Sequence, residues 1–227
     1  MRITIGKRAA LASLTSFLRA SVLRFGVEHE PRDLDWQRRY EANDTPWDKG
    51  EASPVLVDFL RSGRIAGRVL VPGCGRGHDA RALAAQADTF VVGLDISPAA
   101  VAQAKNLTPN TTTNLSFVAG DFFTLPRELT RSFDWLVEHT CFCAIEPRQR
   151  AHYVAAAAQA LRGGGKIFGI FYLDPQSDAP PPFPVTREEL SALFGPRFDL
   201  LEEWVPKSSF PGREQRELVR ILQRRAD

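Results

Sequence analysis

The chain has 227 residues, 25% of them charged and 44% hydrophobic, with a formal net charge of +2. That length suits a single large core, and no apolar run approaches the roughly 20 residues of a membrane-spanning helix. The composition excludes collagen-like, disordered and disulfide-scaffold chains, and so small a basic excess does not by itself point to nucleic acid.

The basic excess is local. Arg2, Lys7, Arg8, Arg19 and Arg24 lie in the first 27 residues, which hold no acid; residues 28–227 carry 24 basic against 27 acidic residues. Leu11, Leu14, Leu18, Val22 and Phe25 recur at helical spacing, which predicts an amphipathic helix over 8–25. Three readings stay open: a targeting segment, a lid or surface helix, or an over-long start, with the lid or surface helix the simplest. Residues 1–30 are therefore set apart as a basic extension from a single domain over 31–227.

Residues 30–50 form a polar stretch bearing aromatics, broken by Pro46 and Gly50. Residues 53–62 read as a helix with Ser53 as cap and Pro54 in its first turn. From there strand and helix alternate. Apolar runs at 68–71, 90–95, 115–119, 133–138 and 166–173 predict five strands. Helices are predicted over 78–87, from Ser97-Pro98 to about 106, and over 147–162, the last closed by Gly163-Gly164-Gly165. Short apolar strands between helices indicate a parallel sheet covered on both faces. Five prolines mark 174–184 as a loop, and Thr186 with Glu189 makes a capping box for a helix over 186–194. Runs at 201–205 and 217–223 have no room for a crossover helix between them and should pair antiparallel. The expected fold class is α/β, a doubly wound sheet ending in an antiparallel hairpin.

The chemistry concentrates after the first strand, at Val71-Pro72-Gly73-Cys74-Gly75-Arg76-Gly77. Glycines there let backbone approach a ligand. Asp95 ends the next strand, beside that turn, where a carboxylate can accept two hydrogen bonds from a ribose diol. Gly75 to Ala80 formally fits G-x-G-x-x-A, so an NAD-binding oxidoreductase competes. The C-terminal hairpin, in place of a second nucleotide-binding half, argues against it. Asp121 and Phe122 after the third strand supply an acceptor for an exocyclic amine and a ring to stack on adenine. One adenosine is thus accounted for. Cys74, Cys141 and Cys143 make an odd count, which indicates a reducing, cytoplasmic compartment and small buried hydrophobes rather than bridges. The four scattered histidines suggest no metal site.

These motifs together resemble the S-adenosylmethionine-dependent methyltransferases of the thiopurine methyltransferase superfamily, closest to its thiol and halide methyltransferase branch. The resemblance is carried by Thr45-Pro46-Trp47-Asp48-Lys49-Gly50, by 71–79, by 91–97, by 142–147 and by Pro181-Pro182-Phe183. It covers nearly all of the chain from about residue 36. It implies a seven-stranded class I methyltransferase fold with S-adenosylmethionine as cofactor. It places Trp36, Tyr40, Trp47, Gly73, Gly75, Asp95, Ile96, Asp121, Phe122 and His139 at the cofactor. Tyr40 stands where relatives usually carry a second Trp, and His139 where they carry Arg or Tyr. Tyr172 falls on a tyrosine that faces the transferred methyl and the substrate. Tyr172 and His139 are thus the catalytic candidates, orienting the nucleophile or relaying its proton. The implied reaction is in-line transfer of a methyl group to a small soft nucleophile: a thiol, hydrosulfide, halide or thiocyanate. A thiopurine or a selenium or tellurium acceptor is the alternative within the superfamily, and a non-catalytic cofactor-binding protein the alternative outside it. Phe142, Phe171 and Phe183 are expected to line a small apolar acceptor pocket beside the 174–184 loop. Arg148 and Arg150 are read as solvated helix residues, Arg150 with a possible approach to the pocket rim. No nucleic-acid or membrane partner is expected, and the nearly neutral surface permits a monomer.

Overall fold

The computed structural model describes residues 35–177 and 179–226; the helix expected over 8–25 lies outside them. Residues 36–227 form one compact unit. Its elements are α1 (Trp36–Glu41), α2 (Pro54–Leu60), β1 (Gly67–Pro72), α3 (His78–Ala84), β2 (Thr89–Asp95), α4 (Pro98–Asn106) and β3 (Leu115–Ala119). They continue with β4 (Phe133–His139), α5 (Arg150–Ala160), β5 (Leu161–Tyr172), α6 (Arg187–Phe194), β6 (Phe198–Trp204) and β7 (Glu217–Arg224).

The strands form one seven-stranded sheet in the order β3-β2-β1-β4-β5-β7-β6. The first five run parallel, and β7 inserts antiparallel between β5 and β6. Two apolar clusters cover the two faces. One gathers α5 and α6 around Phe133, Leu136, Tyr153 and Phe171, and the other gathers α2, α3 and α4 around Val69, Val71, Val137 and Phe168. The chain reverses its direction of winding between β1 and β4, and the crevice at the carboxyl ends there is where open α/β sheets take ligands.

Local chemistry explains most boundaries. Ser97 accepts a bond from the Ala100 amide and Pro98 opens α4, so that helix starts as predicted. Thr186 likewise accepts from the Glu189 amide to cap α6. Ser53 sits at the α2 cap position, but its hydroxyl makes no capping bond; its amide donates instead to Asp79 Oδ1 at 2.7 Å.

Three expectations change. The polar stretch 30–50 contains the six-residue helix α1. The helix expected over 147–162 is a 3-10 turn, Pro147–Gln149, followed by α5, and the three glycines lie inside β5 rather than closing a helix. They absorb an irregularity in the β4–β5 pairing: Leu161 faces Phe133, yet Lys166 faces Trp135. The edge strand β6 starts at Phe198, before the expected 201, and a register shift between Leu200 and Glu202 leaves Leu200 and Leu201 both exposed.

Candidate active site

The glycine turn sits at the switch point, directly after β1. Gly73 is exposed with φ +59°, and a Cβ there would lie 2.7 Å from Cys141 Sγ. Gly75, at φ +52°, runs beneath Tyr40, whose hydroxyl oxygen would be 2.6 Å from an added Cβ. Both positions demand glycine on two counts, positive φ and close approach. The Gly75 amide donates to Asp95 Oδ2 at 2.8 Å, and the Ser97 amide to Asp95 Oδ1 at 2.9 Å. Burial raises the Asp95 carboxyl above the usual range, and these two amides draw it back only in part. Each oxygen keeps a second lone pair, so the carboxylate is fixed in place with acceptor capacity left.

An aromatic cap covers this turn. Trp36 and Trp47 meet edge to face with centroids 5.3 Å apart, and Tyr40 meets Trp47 at 5.9 Å. Trp47 Nε1 donates to the Tyr40 hydroxyl at 3.3 Å. Burial first, then the nearby Asp95 charge, pushes the Tyr40 phenol far above its ordinary value, so it stays neutral. Helix α1 is tied to α4 by Gln37, whose Oε1 accepts from Ser97 Oγ and the Ala99 amide. Gln103 returns a bond to the Tyr40 carbonyl at 3.1 Å. The Arg39 guanidinium lies 4.3 Å from the Trp47 ring centroid.

The neighbouring strand ends supply a polar and an apolar contact. Asp121 caps the 3-10 turn Phe122–Thr124, its Oδ1 accepting from the Phe123 amide at 2.8 Å. Ile96, just past Asp95, is 58% exposed and presents an apolar side chain at the strand end. Phe122 turns inward, its ring 4.9 Å from Tyr153.

At the ends of β4 and β5 a second cluster forms. His139 Nδ1 meets Asp79 Oδ2 at 2.7 Å, and its Nε2 lies 3.4 Å from Arg213 Nη1. Burial alone would push the His139 imidazolium down, but the facing Asp79 carboxylate more than reverses this and holds it above the usual histidine value. Asp79 is correspondingly lowered: burial would raise it, but His139 and the Ser53 amide outweigh that. The Arg213 guanidinium lies 4.9 Å from the Tyr172 ring centroid and 5.8 Å from that of Phe210. Its Nη1 reaches Glu217 Oε1 at 3.4 Å. Both described polar contacts of the Arg213 side chain are long and use the same nitrogen. Asp79 and Arg213 escaped sequence reading because 134 positions separate them. The one available hint was Arg213 four residues before Glu217.

Two expected pocket residues belong to the core instead. Phe142 is 1% exposed and Phe171 2%; each packs edge to face on the other at 5.6 Å and against Phe194. Phe183 stays half-buried, its amide bonded to the Cys143 carbonyl at 2.7 Å. Arg150 is not solvated. It is 1% exposed, pairs with Glu189 at 2.6 Å and donates to the Pro184 carbonyl, fastening the proline loop to α5. The three cysteines are free, and burial raises each thiol.

Sequence reading also passed over Glu138. Its carboxyl is wholly buried, accepting from the Phe142 amide at 2.7 Å and from the Tyr153 hydroxyl. Burial pushes it up to about 7 from the usual 4.5, against the pull of those donors. The folded state therefore holds a proton that the unfolded chain releases, and this contribution is lost as pH rises through 7. Between pH 6 and pH 8 the wild type should lose about 1.4 kcal/mol of stability on this account. Glu138→Gln should abolish that loss, as checked by urea unfolding at both pH values.

Comparison with known proteins shows the family and the fold. The family model for thiopurine S-methyltransferase matches residues 32–223. A thiocyanate methyltransferase 1 from Brassica oleracea is 38% identical over 175 residues, covering 74% of this chain and 76% of that one. A probable thiol methyltransferase 2 from Arabidopsis thaliana is 36% identical over 164 residues, 71% of each chain. Among solved structures, the 1,6-didemethyltoxoflavin-N1-methyltransferase of Burkholderia thailandensis, with bound S-adenosylhomocysteine, superposes with a TM-score of 0.63 at 20% identity. That match covers 83% of this chain and 85% of that one. The chain belongs to the thiopurine S-methyltransferase family, enzymes that draw their methyl group from S-adenosylmethionine.

Proposed function

We propose that this enzyme methylates a small, soft, anionic nucleophile: a thiolate, hydrosulfide, halide or thiocyanate. The observation that carries the reading is Arg213 lying over Tyr172 at the carboxyl ends of the strands. The names of the plant relatives, for thiols and thiocyanate, support it.

The residues present suit the cofactor. Asp95 would hold the ribose diol with its free lone pairs, and the outer oxygen of Asp121 the exocyclic amine. Ile96 offers the adenine an apolar face. Exposed backbone at Gly73 admits close approach. Trp36, Tyr40 and Trp47 would close over the bound molecule, and Trp47 already carries a cation, Arg39, on its ring. Phe122 supports the Asp121 turn from below rather than stacking on the base. When bound, S-adenosylmethionine supplies an activated methyl group on a sulfonium sulfur.

The chain's own task is then alignment and dehydration, which can contribute on the order of 7–11 kcal/mol. Arg213 attracts the anion, and the Tyr172 hydroxyl orients it. His139 acts as a positioning residue: both ring nitrogens are engaged, one by Asp79 and one towards Arg213. A thiol with pKa ~8.5 needs modest help at neutral pH, which a nearby guanidinium gives by favouring the thiolate. Iodide and thiocyanate need none. Three free thiols fit a reducing, cytoplasmic compartment. Among the described residues no helix is long and apolar enough to cross a membrane.

The test is a methyl-transfer screen with hydrosulfide, methanethiol, iodide, thiocyanate and a thiopurine, with volatile products read by gas chromatography. Turnover of the small anions is expected; turnover of the thiopurine alone would overturn the assignment. Calorimetry should show binding of S-adenosylhomocysteine and none of NAD.

A further inference from the structure

The loop that carries Trp47 has little apolar anchorage. From Glu41 to Gly50 only Thr45 is buried, and only Trp47 and Asp48 are half-buried. Beside the Trp47 ring contacts, the polar contacts of Asp48 hold the loop down. Asp48 Oδ2 lies 3.0 Å from Arg76 Nη1, and Asp48 Oδ1 lies 3.1 Å from His78 Nε2. The same Oδ1 accepts the Gly50 amide at 2.8 Å, shaping the loop's exit. Arg76 and His78 flank Gly77, so Asp48 ties the loop to the end of the glycine turn where α3 begins.

The turn's side of the contact is braced. Arg76 Nε donates to Gln103 Oε1 at 2.8 Å, and its Nη2 reaches back to Asn43 Oδ1 of the same loop at 3.2 Å. Arg81 Nη1 donates to the Arg76 carbonyl at 2.7 Å, and Nη2 lies 2.9 Å from His78 Nδ1. A guanidinium has no acceptor, so His78 Nδ1 accepts, and the ring proton sits on Nε2, towards Asp48. Asp48 Oδ2 and His78 Nε2 are buried without an aligned hydrogen-bond partner. With Nδ1 accepting, the His78 ring offers Asp48 only an N–H dipole, and the formal charge that faces Asp48 is the Arg76 guanidinium.

We infer that Asp48 is a positioning residue that latches the Trp47 loop onto the glycine turn and thereby sets how fast spent cofactor leaves. The inference rests on the cofactor lying against that turn. Asp48→Asn keeps the shape and the Gly50 bond and removes the charge. Stopped-flow tryptophan fluorescence with S-adenosylhomocysteine should show its off-rate rising about tenfold or more, equivalent to roughly 1.4 kcal/mol. Asp48→Glu should restore much of the loss. Combining Asp48→Asn with Arg76→Gln should raise the off-rate little beyond either change alone, a non-additivity mere misfolding would not produce. If Asp48→Asn fails to fold, Arg76→Gln tests the same pair from the other side. An unchanged off-rate in a wild type and variant that both bind would overturn the latch alone. Failure of the wild type to bind S-adenosylhomocysteine would remove the cofactor placement and the latch together.

Discussion

Asp95→Ala should weaken S-adenosylhomocysteine binding about a hundredfold, the loss of two hydrogen bonds to a charged acceptor at about 1.5–3 kcal/mol each, less what water restores. The variant acts twice. It removes the acceptor proposed for the ribose diol, and it frees the Gly75 amide that Asp95 now holds at 2.8 Å. Asp95→Asn separates the two effects. It keeps an acceptor for one amide, so the turn should survive, while the diol meets a neutral and partly donating group. Calorimetry on both variants should rank affinity as wild type, Asn, then Ala. Asp95→Ala binding within threefold of wild type would mean that the ribose is held elsewhere.

Arg213→Gln should lower kcat/KM for iodide and thiocyanate by about a hundredfold, as expected for removing a charged partner from a largely desolvated anion. Cofactor affinity should stay within a few-fold, because Arg213 approaches from the β7 side and touches neither the glycine turn nor the aromatic cap. Iodide is the informative acceptor, since it carries no proton to lose. A fall with iodide as large as that with hydrosulfide assigns Arg213 to holding the anion. A fall confined to hydrosulfide would assign it to deprotonation instead. Tyr172→Phe keeps the ring that faces the guanidinium and removes the hydroxyl. It should reduce turnover by about tenfold, the scale of one oriented hydrogen bond. Unchanged turnover in Tyr172→Phe would make Tyr172 a packing residue.

The parallel half of the sheet was readable because its strands are short apolar runs punctuated by Pro72-Gly73, Ser97-Pro98 and the like. The order of the site along the chain follows from that: glycine turn, Asp95, Asp121, each at a strand end. What sequence could not show was the direction of a ring. Phe142 and Phe171 lie at the right strand ends for a pocket, but both rings turn into the cluster around Phe194 and Tyr153. Nor could it show that α1 exists, since six residues are too few to display a helical period. Arg150 illustrates the same limit: it occupies a polar position at a helix start, and only the arrival of Glu189 and the proline loop makes its burial possible. The Asp79–His139–Arg213 contact joins α3, β4 and the segment before β7, three places with no sequence proximity.

The position of β7 has a bearing on biosynthesis. It lies between β5 and β6, so two strands made earlier have no shared partner until it arrives. A nascent chain halted before residue 217 would present two open strand edges, one of them the apolar flank of β5, and be prone to mispairing. The same late segment fixes Arg213 and Glu217 beside Tyr172. The glycine turn and Asp95 are thus translated first and the Arg213–Tyr172 contact is assembled last, so a product truncated ahead of β7 would be exposed to aggregation and proteolysis.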